Sequence, residues 1–164
     1  MQKKADIISV PIEYAIGSSC YYRCQTGDTP PIDFKIRFIS LEPLDLSQIL
    51  NPSEISRSYN LKEGFFMLLK TELTSFYKEV IDTRRIIEDL LIVDQDGFQF
   101  NVSHDSYMCG YANKEFSERI GLDAFYGGEF RPKIKCTGIL PFFLPKEDDA
   151  EYSFAVNKGS IQEL

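Results

Sequence analysis

Apolar side chains recur at alternate positions over much of the chain, the period-2 signature of half-buried β-strands. Phe34, Ile36 and Phe38 alternate with Lys35 and Arg37, which puts three apolar side chains on one face and two cations in solvent. From Gly64, the run Phe65-Phe66-Met67-Leu68-Leu69 is apolar on both faces before Lys70, Glu72 and Thr74 restore polarity. Such a run predicts a central strand covered on both sides for part of its length. Asp96-Gly97 lies between Leu90-Leu91-Ile92-Val93 and Phe98-Gln99-Phe100-Asn101-Val102, a strong short-range hairpin signal that sets Phe98, Phe100 and Val102 on one face. The same parity returns in Ile134, Cys136, Gly138, Leu140 and Phe142 opposite Lys133, Lys135 and Thr137, and again in Tyr152, Phe154 and Val156. With a first strand within 7–16 and another around 20–24, about seven strands result, the number that suggests an antiparallel β-sandwich.

Helical periodicity is scarce. Residues 44–62 are polar, with Asp45 as a cap and Asn51-Pro52-Ser53 as a breaker, and read as a long connection carrying one or two short helical turns. Residues 75–88 are ambiguous: Phe76, Val80, Ile87 and Leu91 form a helical stripe, yet Val80-Ile81 and Ile86-Ile87 are β-branched pairs that fit a strand equally well. A third helical candidate, 113–120, precedes Gly127-Gly128. No internal repeat, low-complexity tract or interdomain linker divides the 164 residues, so 1–164 reads as one domain.

Composition narrows the function classes. A hydrophobic share of 43% with 13 Phe and 9 Tyr is globular and excludes a disordered chain. The net charge of −7 argues against a general nucleic-acid binder, leaving room for no more than a local basic patch. No stretch approaches the roughly 18 to 20 apolar residues that cross a bilayer, so no membrane insertion is expected. Met-Gln-Lys-Lys resembles the charged start of a secretory signal, but 5–16 is broken by Asp6, Pro11 and Glu13. The expected address is therefore the cytoplasm as the sequence stands, or the cell envelope or exterior if a leader was removed.

Several stretches together resemble a known group. They are Lys62-Glu63-Gly64 entering a long apolar strand, the Leu-Ile-Val-Asp-Gln-Asp-Gly-Phe-Gln-Phe hairpin at 91–100, Lys135-Cys136-Thr137-Gly138-Ile139-Leu140-Pro141-Phe142-Phe143-Leu144-Pro145, and the strand at 152–156. In this order they resemble the bacterial telokin-like immunoglobulin-fold proteins over about residues 34–157. The resemblance implies a mainly β, immunoglobulin-like antiparallel sandwich used for binding or adhesion, often outside the cytoplasm, and carries over no catalytic residues. The chain departs from that pattern in its 44–62 connection, its 104–131 insertion and its lack of an export signal.

Candidate chemistry is thin. Cys20, Cys24, Cys109 and Cys136 with His104 invite a zinc site, but Cys20 and Cys24 form only a loose knuckle and no second one follows. Four strand steps separate Cys20 from Cys24 by about 13 Å, too far for a mutual disulfide, so each would need Cys109 or Cys136; free buried thiols are the default in a cytoplasm. Cys136 falls on the apolar parity of its strand and reads as core. A nucleophile would have to use His104, the one imidazole, which lies five residues from Cys109 and beside Asp105. The bland reading, a histidine at a strand end, is preferred. Placing Gly97 at the sixth position of a calcium loop puts Ile92 first and Ser103 twelfth, where carboxylates are required, so Asp94-Gln95-Asp96-Gly97 is a turn. Glu147-Asp148-Asp149 reads as a solvated turn, and no phosphate-binding or zinc-protease motif is present.

What remains is surface. Tyr21-Tyr22, Phe125-Tyr126 and Phe142-Phe143 are adjacent aromatics, and in extended chain one member of each pair must face away from the core. Exposed aromatics are the usual anchors of partner binding, so Tyr21, Tyr22, Phe125 and Tyr126 are the candidate interaction surface. The absence of Trp weakens a sugar-stacking role. The expectation is a non-catalytic binding or assembly module acting through protein–protein contacts, with no catalytic, cofactor or metal residues. A small Cys109–His104 hydrolase and an envelope domain contacting glycans or proteins are the alternatives.

Overall fold

The computed structural model describes residues 10–11, 16–24, 30–44, 59–103 and 128–156. Among them are ten strands: β1 (Val10–Pro11), β2 (Ser19–Cys24), β3 (Ile32–Pro43), β4 (Gly64–Ser75), β5 (Ile81–Asp82), β6 (Leu90–Asp94), β7 (Gln99–Asn101), β8 (Glu129–Phe130), β9 (Lys135–Pro145) and β10 (Tyr152–Val156). The single helix among them, α1 (Arg84–Ile87), is one turn long. Three of the strands span only two residues; one of these, β1, is all that the described residues show of the first strand expected within 7–16, and the seven longer strands cover the other predicted segments.

All pairings are antiparallel. Sheet I has the order β1-β10-β6-β7, sheet II the order β2-β3-β4-β9, and β5 pairs with β8 alone. One buried cluster takes Tyr22, Phe34, Ile36, Phe38, Leu73, Leu140 and Phe142 from sheet II and Leu90, Ile92, Phe154 and Val156 from sheet I, so the core lies between them in a sandwich-like arrangement. Along one side the sheets are stitched: Val102, just past β7, bridges to Phe142 of β9, and the Ser103 amide donates to the Pro141 carbonyl at 2.8 Å.

Register follows the predicted faces. Phe34, Ile36 and Phe38 are fully buried while Lys35 and Arg37 look outward. A bulge between Phe38 and Ser40 shifts the parity, after which Leu41 pairs with Leu69 and packs against the core. In β4, Leu69 and Leu73 join the main core from one face, while Phe66 and Leu68 enter a second cluster with Leu44 and Ile139 on the other. Tyr59, Leu61 and Phe143 pack over that second cluster, so the doubly covered strand has a physical cause: the end of the 44–62 connection lies across the outer face of sheet II. Gly64 is demanded by this arrangement, because a Cβ there would come within 2.5 Å of the Phe143 ring.

Two expectations are corrected. Phe98, placed with Phe100 and Val102 on the apolar face, is 66% exposed, because β7 begins at Gln99. The turn is a three-residue loop closed by Asp94 and Phe98, with Gly97 at φ +87° and the buried Asp94 carboxylate accepting from the amides of Asp96 and Phe98, each at 2.9 Å. Ile134 is likewise 55% exposed, since it precedes β9 in the turn that reaches back to Ser75. Segment 75–88 resolves as neither helix nor strand throughout: it ends β4, makes the two-residue β5, and closes in α1, whose Ile86 and Ile87 are buried. The candidate helix at 113–120 and most of 44–62 lie outside the described residues.

Candidate interaction surface

The outer face of sheet II is divided by the second cluster. One end is covered; the other, toward the start of β3, stays open. Alternation places side chains there in rows across the strands: Arg23 beside Asp33, then Tyr21-Lys35-Thr74-Lys135, then Ser19-Arg37-Glu72-Thr137, then Ser40-Lys70 at the margin of the covered part. Such positions are polar because sheet I lies on the opposite face and leaves this one to water.

Two aromatics break the polarity. Tyr21 is 40% and Phe76 39% exposed, and their rings stack with centroids 6.2 Å apart at 23°, so the pair lies diagonally across β3. Phe76 stands just beyond β4 and is held by its amide, which donates to the Asp33 carbonyl at 2.8 Å. The Lys35 ammonium sits 5.6 Å from the centre of the Tyr21 ring, joining a cation to the aromatic pair.

The charges are organised. Arg23 Nε and Nη2 donate to the two oxygens of Asp33 at 2.6 and 3.0 Å, and this carboxylate raises the Arg23 pKa, holding the guanidinium charged more firmly. Glu72 is shared, with Arg37 at 3.5 Å and Lys135 at 3.9 Å. Lys35 and Lys70 have no carboxylate partner among the described residues.

Of the residues predicted from sequence, Tyr21 stands on this surface. Tyr22 does not: it is fully buried against Phe34 and Phe154 at ring distances of 5.7 and 6.0 Å, because the strand alternation that turns Tyr21 outward turns Tyr22 into the core. Phe125 and Tyr126 lie outside the described residues, as do His104 and Cys109. Phe76 falls in the segment 75–88 that the sequence leaves open between helix and strand. The signal that would have found it is its parity, since Glu72, Thr74 and Phe76 continue one outward-facing series once β4 is extended to Ser75.

Cys24 is the chain's most perturbed described thiol. Almost fully buried, it donates to Asp89 Oδ2 at 2.7 Å; burial first, then this hydrogen bond and the carboxylate charge, push its pKa far above the ordinary thiol range, with Arg85 partly opposing. A thiol so held stays protonated at neutral pH and is a poor nucleophile. Cys20 and Cys136 are also free, both packed against the core, Cys136 as its strand parity predicts. Among the described residues no three His, Cys, Asp or Glu side chains converge as a metal site, and no helix is long and apolar enough to cross a membrane.

Among solved structures, the chain is similar to a conserved hypothetical protein from Bacillus anthracis, with a TM-score of 0.52 and 13% identity over 88% of this chain and 96% of that one. At that identity the likeness speaks to the fold alone, as a mainly β arrangement, and does not single out the telokin-like group. No family model and no curated protein matches the chain.

Proposed function

We propose that this protein is a non-catalytic binding module, an immunoglobulin-like sandwich that engages a protein partner through the open end of sheet II. The carrying observation is the stacked Tyr21–Phe76 pair, left exposed on a polar face whose other aromatics, Phe66 and Phe143, are covered by Tyr59. Aromatic side chains offer large contact area at low conformational-entropy cost, and a polar rim around them suits a surface that must stay soluble when free. The immunoglobulin-like assignment is supported by two four-stranded antiparallel sheets sharing one core. Free thiols at Cys20, Cys24 and Cys136 support a reducing compartment, the cytoplasm.

The test is in-cell photocrosslinking with a photoreactive residue in place of Phe76, and in place of the equally apolar, exposed Phe98 at the far hairpin as the control. A discrete protein adduct at position 76 and none at 98 is expected. No adduct at 76, or the same adducts at both positions, overturns the reading.

A further inference from the structure

We propose that the partner offered to this surface is a short acidic polypeptide segment carrying an apolar side chain; the inference rests on the binding-module reading above. The chain carries a net charge of −7, yet among the described residues the open face presents five cations, Arg23, Lys35, Arg37, Lys70 and Lys135, against the two carboxylates Asp33 and Glu72, with Glu42 one row beyond Lys70. Its sign is opposite to that of the molecule. Asp33 is engaged by Arg23 on both oxygens, and Glu72 is divided between Arg37 and Lys135, so neither carboxylate neutralises Lys35 or Lys70. Lys35 is held over the Tyr21 ring, so the unneutralised cation and the aromatic pair form one site for a ligand that has both an anionic and an apolar group.

Size selects the class of anion. Four strands about 4.8 Å apart give the face a width of about 14 Å, and the rows from Phe76 to Lys70 a length of about 20 Å. That matches about six residues of extended peptide. The rest of the chain carries the negative balance, and at physiological salt charges act over only about 8 Å. A few carboxylates on a short segment stay within the positive field; a continuous polyanion would extend past the cationic rows and gain no further attraction, which separates an acidic peptide from a nucleic-acid strand.

The experiment uses the full chain and three fluorescent probes in anisotropy titrations at about 50 mM and about 300 mM salt: a peptide of glutamates around one phenylalanine, its lysine counterpart, and single-stranded oligothymidylate. The glutamate peptide is expected to bind, to weaken severalfold at the higher salt, and to lose about tenfold or more in affinity with Lys35→Glu/Lys135→Glu, while Lys62→Glu, away from this face, leaves binding unchanged. Circular dichroism checks the fold of each variant, and Lys35→Gln/Lys135→Gln takes the place of the double reversal if that one fails to fold. Equal binding of both peptides, indifference to the Lys35 and Lys135 changes, or tighter binding of oligothymidylate overturns the proposal. If the glutamate peptide does not bind while the adduct at position 76 persists, the acidic class is wrong and the module stands; if neither is seen, both fall.

Discussion

Phe154 joins the two sheets, and truncating it measures how much the sandwich depends on that joint. It stands fully buried in β10 of sheet I and meets Phe38 of sheet II edge-on at 5.0 Å and 70°, with Tyr22 at 6.0 Å and 61°. A phenyl ring hides about 150 Å² or more of apolar surface, worth about 4 kcal/mol at ~25 cal/mol per Å². Alanine keeps a little of that, while the cavity it leaves and the two lost edge contacts, each ~0.5–1.5 kcal/mol, restore the total. Phe154→Ala is therefore expected to cost about 4–5 kcal/mol, a large part of the ~5–15 kcal/mol that holds a typical domain together. Phe154→Leu, which keeps most of the volume, costs under about 1.5 kcal/mol. Urea unfolding followed by circular dichroism reads both, with the slope against denaturant unchanged. A double-mutant cycle with Phe38→Leu isolates the cross-sheet contact at ~0.5–1.5 kcal/mol. A loss below about 2 kcal/mol for Phe154→Ala at constant slope, or a coupling of zero, would refute the claim that this ring ties the sheets; Phe76→Ala, on the half-exposed surface pair, serves as the control at under about 1 kcal/mol.

Two further outcomes follow from buried polar groups. The Thr71 hydroxyl is fully buried between Phe38 and Gly138 with no hydrogen-bond partner among the described residues, so the near-isosteric Thr71→Val should stabilise by about 1 kcal/mol; a loss of stability on thermal or urea unfolding would contradict it. The raised Cys24 pKa means that the folded chain keeps a proton that the unfolded chain gives up, so its contribution is complete below the ordinary thiol range and declines as pH rises beyond it. Between about pH 9 and 10, stability should fall with a slope approaching about 1.4 kcal/mol per pH unit. Cys24→Ala should flatten that fall, and an unchanged slope in the variant would remove Cys24 as its source. The Tyr152 hydroxyl, also raised, by burial first and then by the charges of Glu147 and Asp94, adds its own decline only above about pH 10.

The parity of side chains was legible along the chain because it depends on nothing beyond the strand's own geometry. Phe34-Lys35-Ile36-Arg37-Phe38 and Cys136 to Phe142 could be sorted into inward and outward sets before any partner was known, and the structure keeps both sortings. The same local rule marked Phe65 to Leu69 as covered twice, and separated Tyr21 from Tyr22 without saying which of them faces the core. Where elements begin was less legible. Phe98 and Ile134 continue their strands' patterns in sequence, but the hydrogen bonds that close the turns stop each strand one residue short of them. Tertiary structure alone decided the surface. Arg23, Tyr21, Lys35, Glu72 and Lys135, from four strands, and Phe76, just past the end of β4, meet only through the register of β2, β3, β4 and β9, set by pairings between residues as far apart as Thr74 and Lys135. Individually each cation reads as a solvated residue; a field of one sign arises from their summed positions. The Cys24–Asp89 contact has the same origin, for no spacing along the chain announces a hydrogen bond that forms only when β2 folds over the residues just before β6.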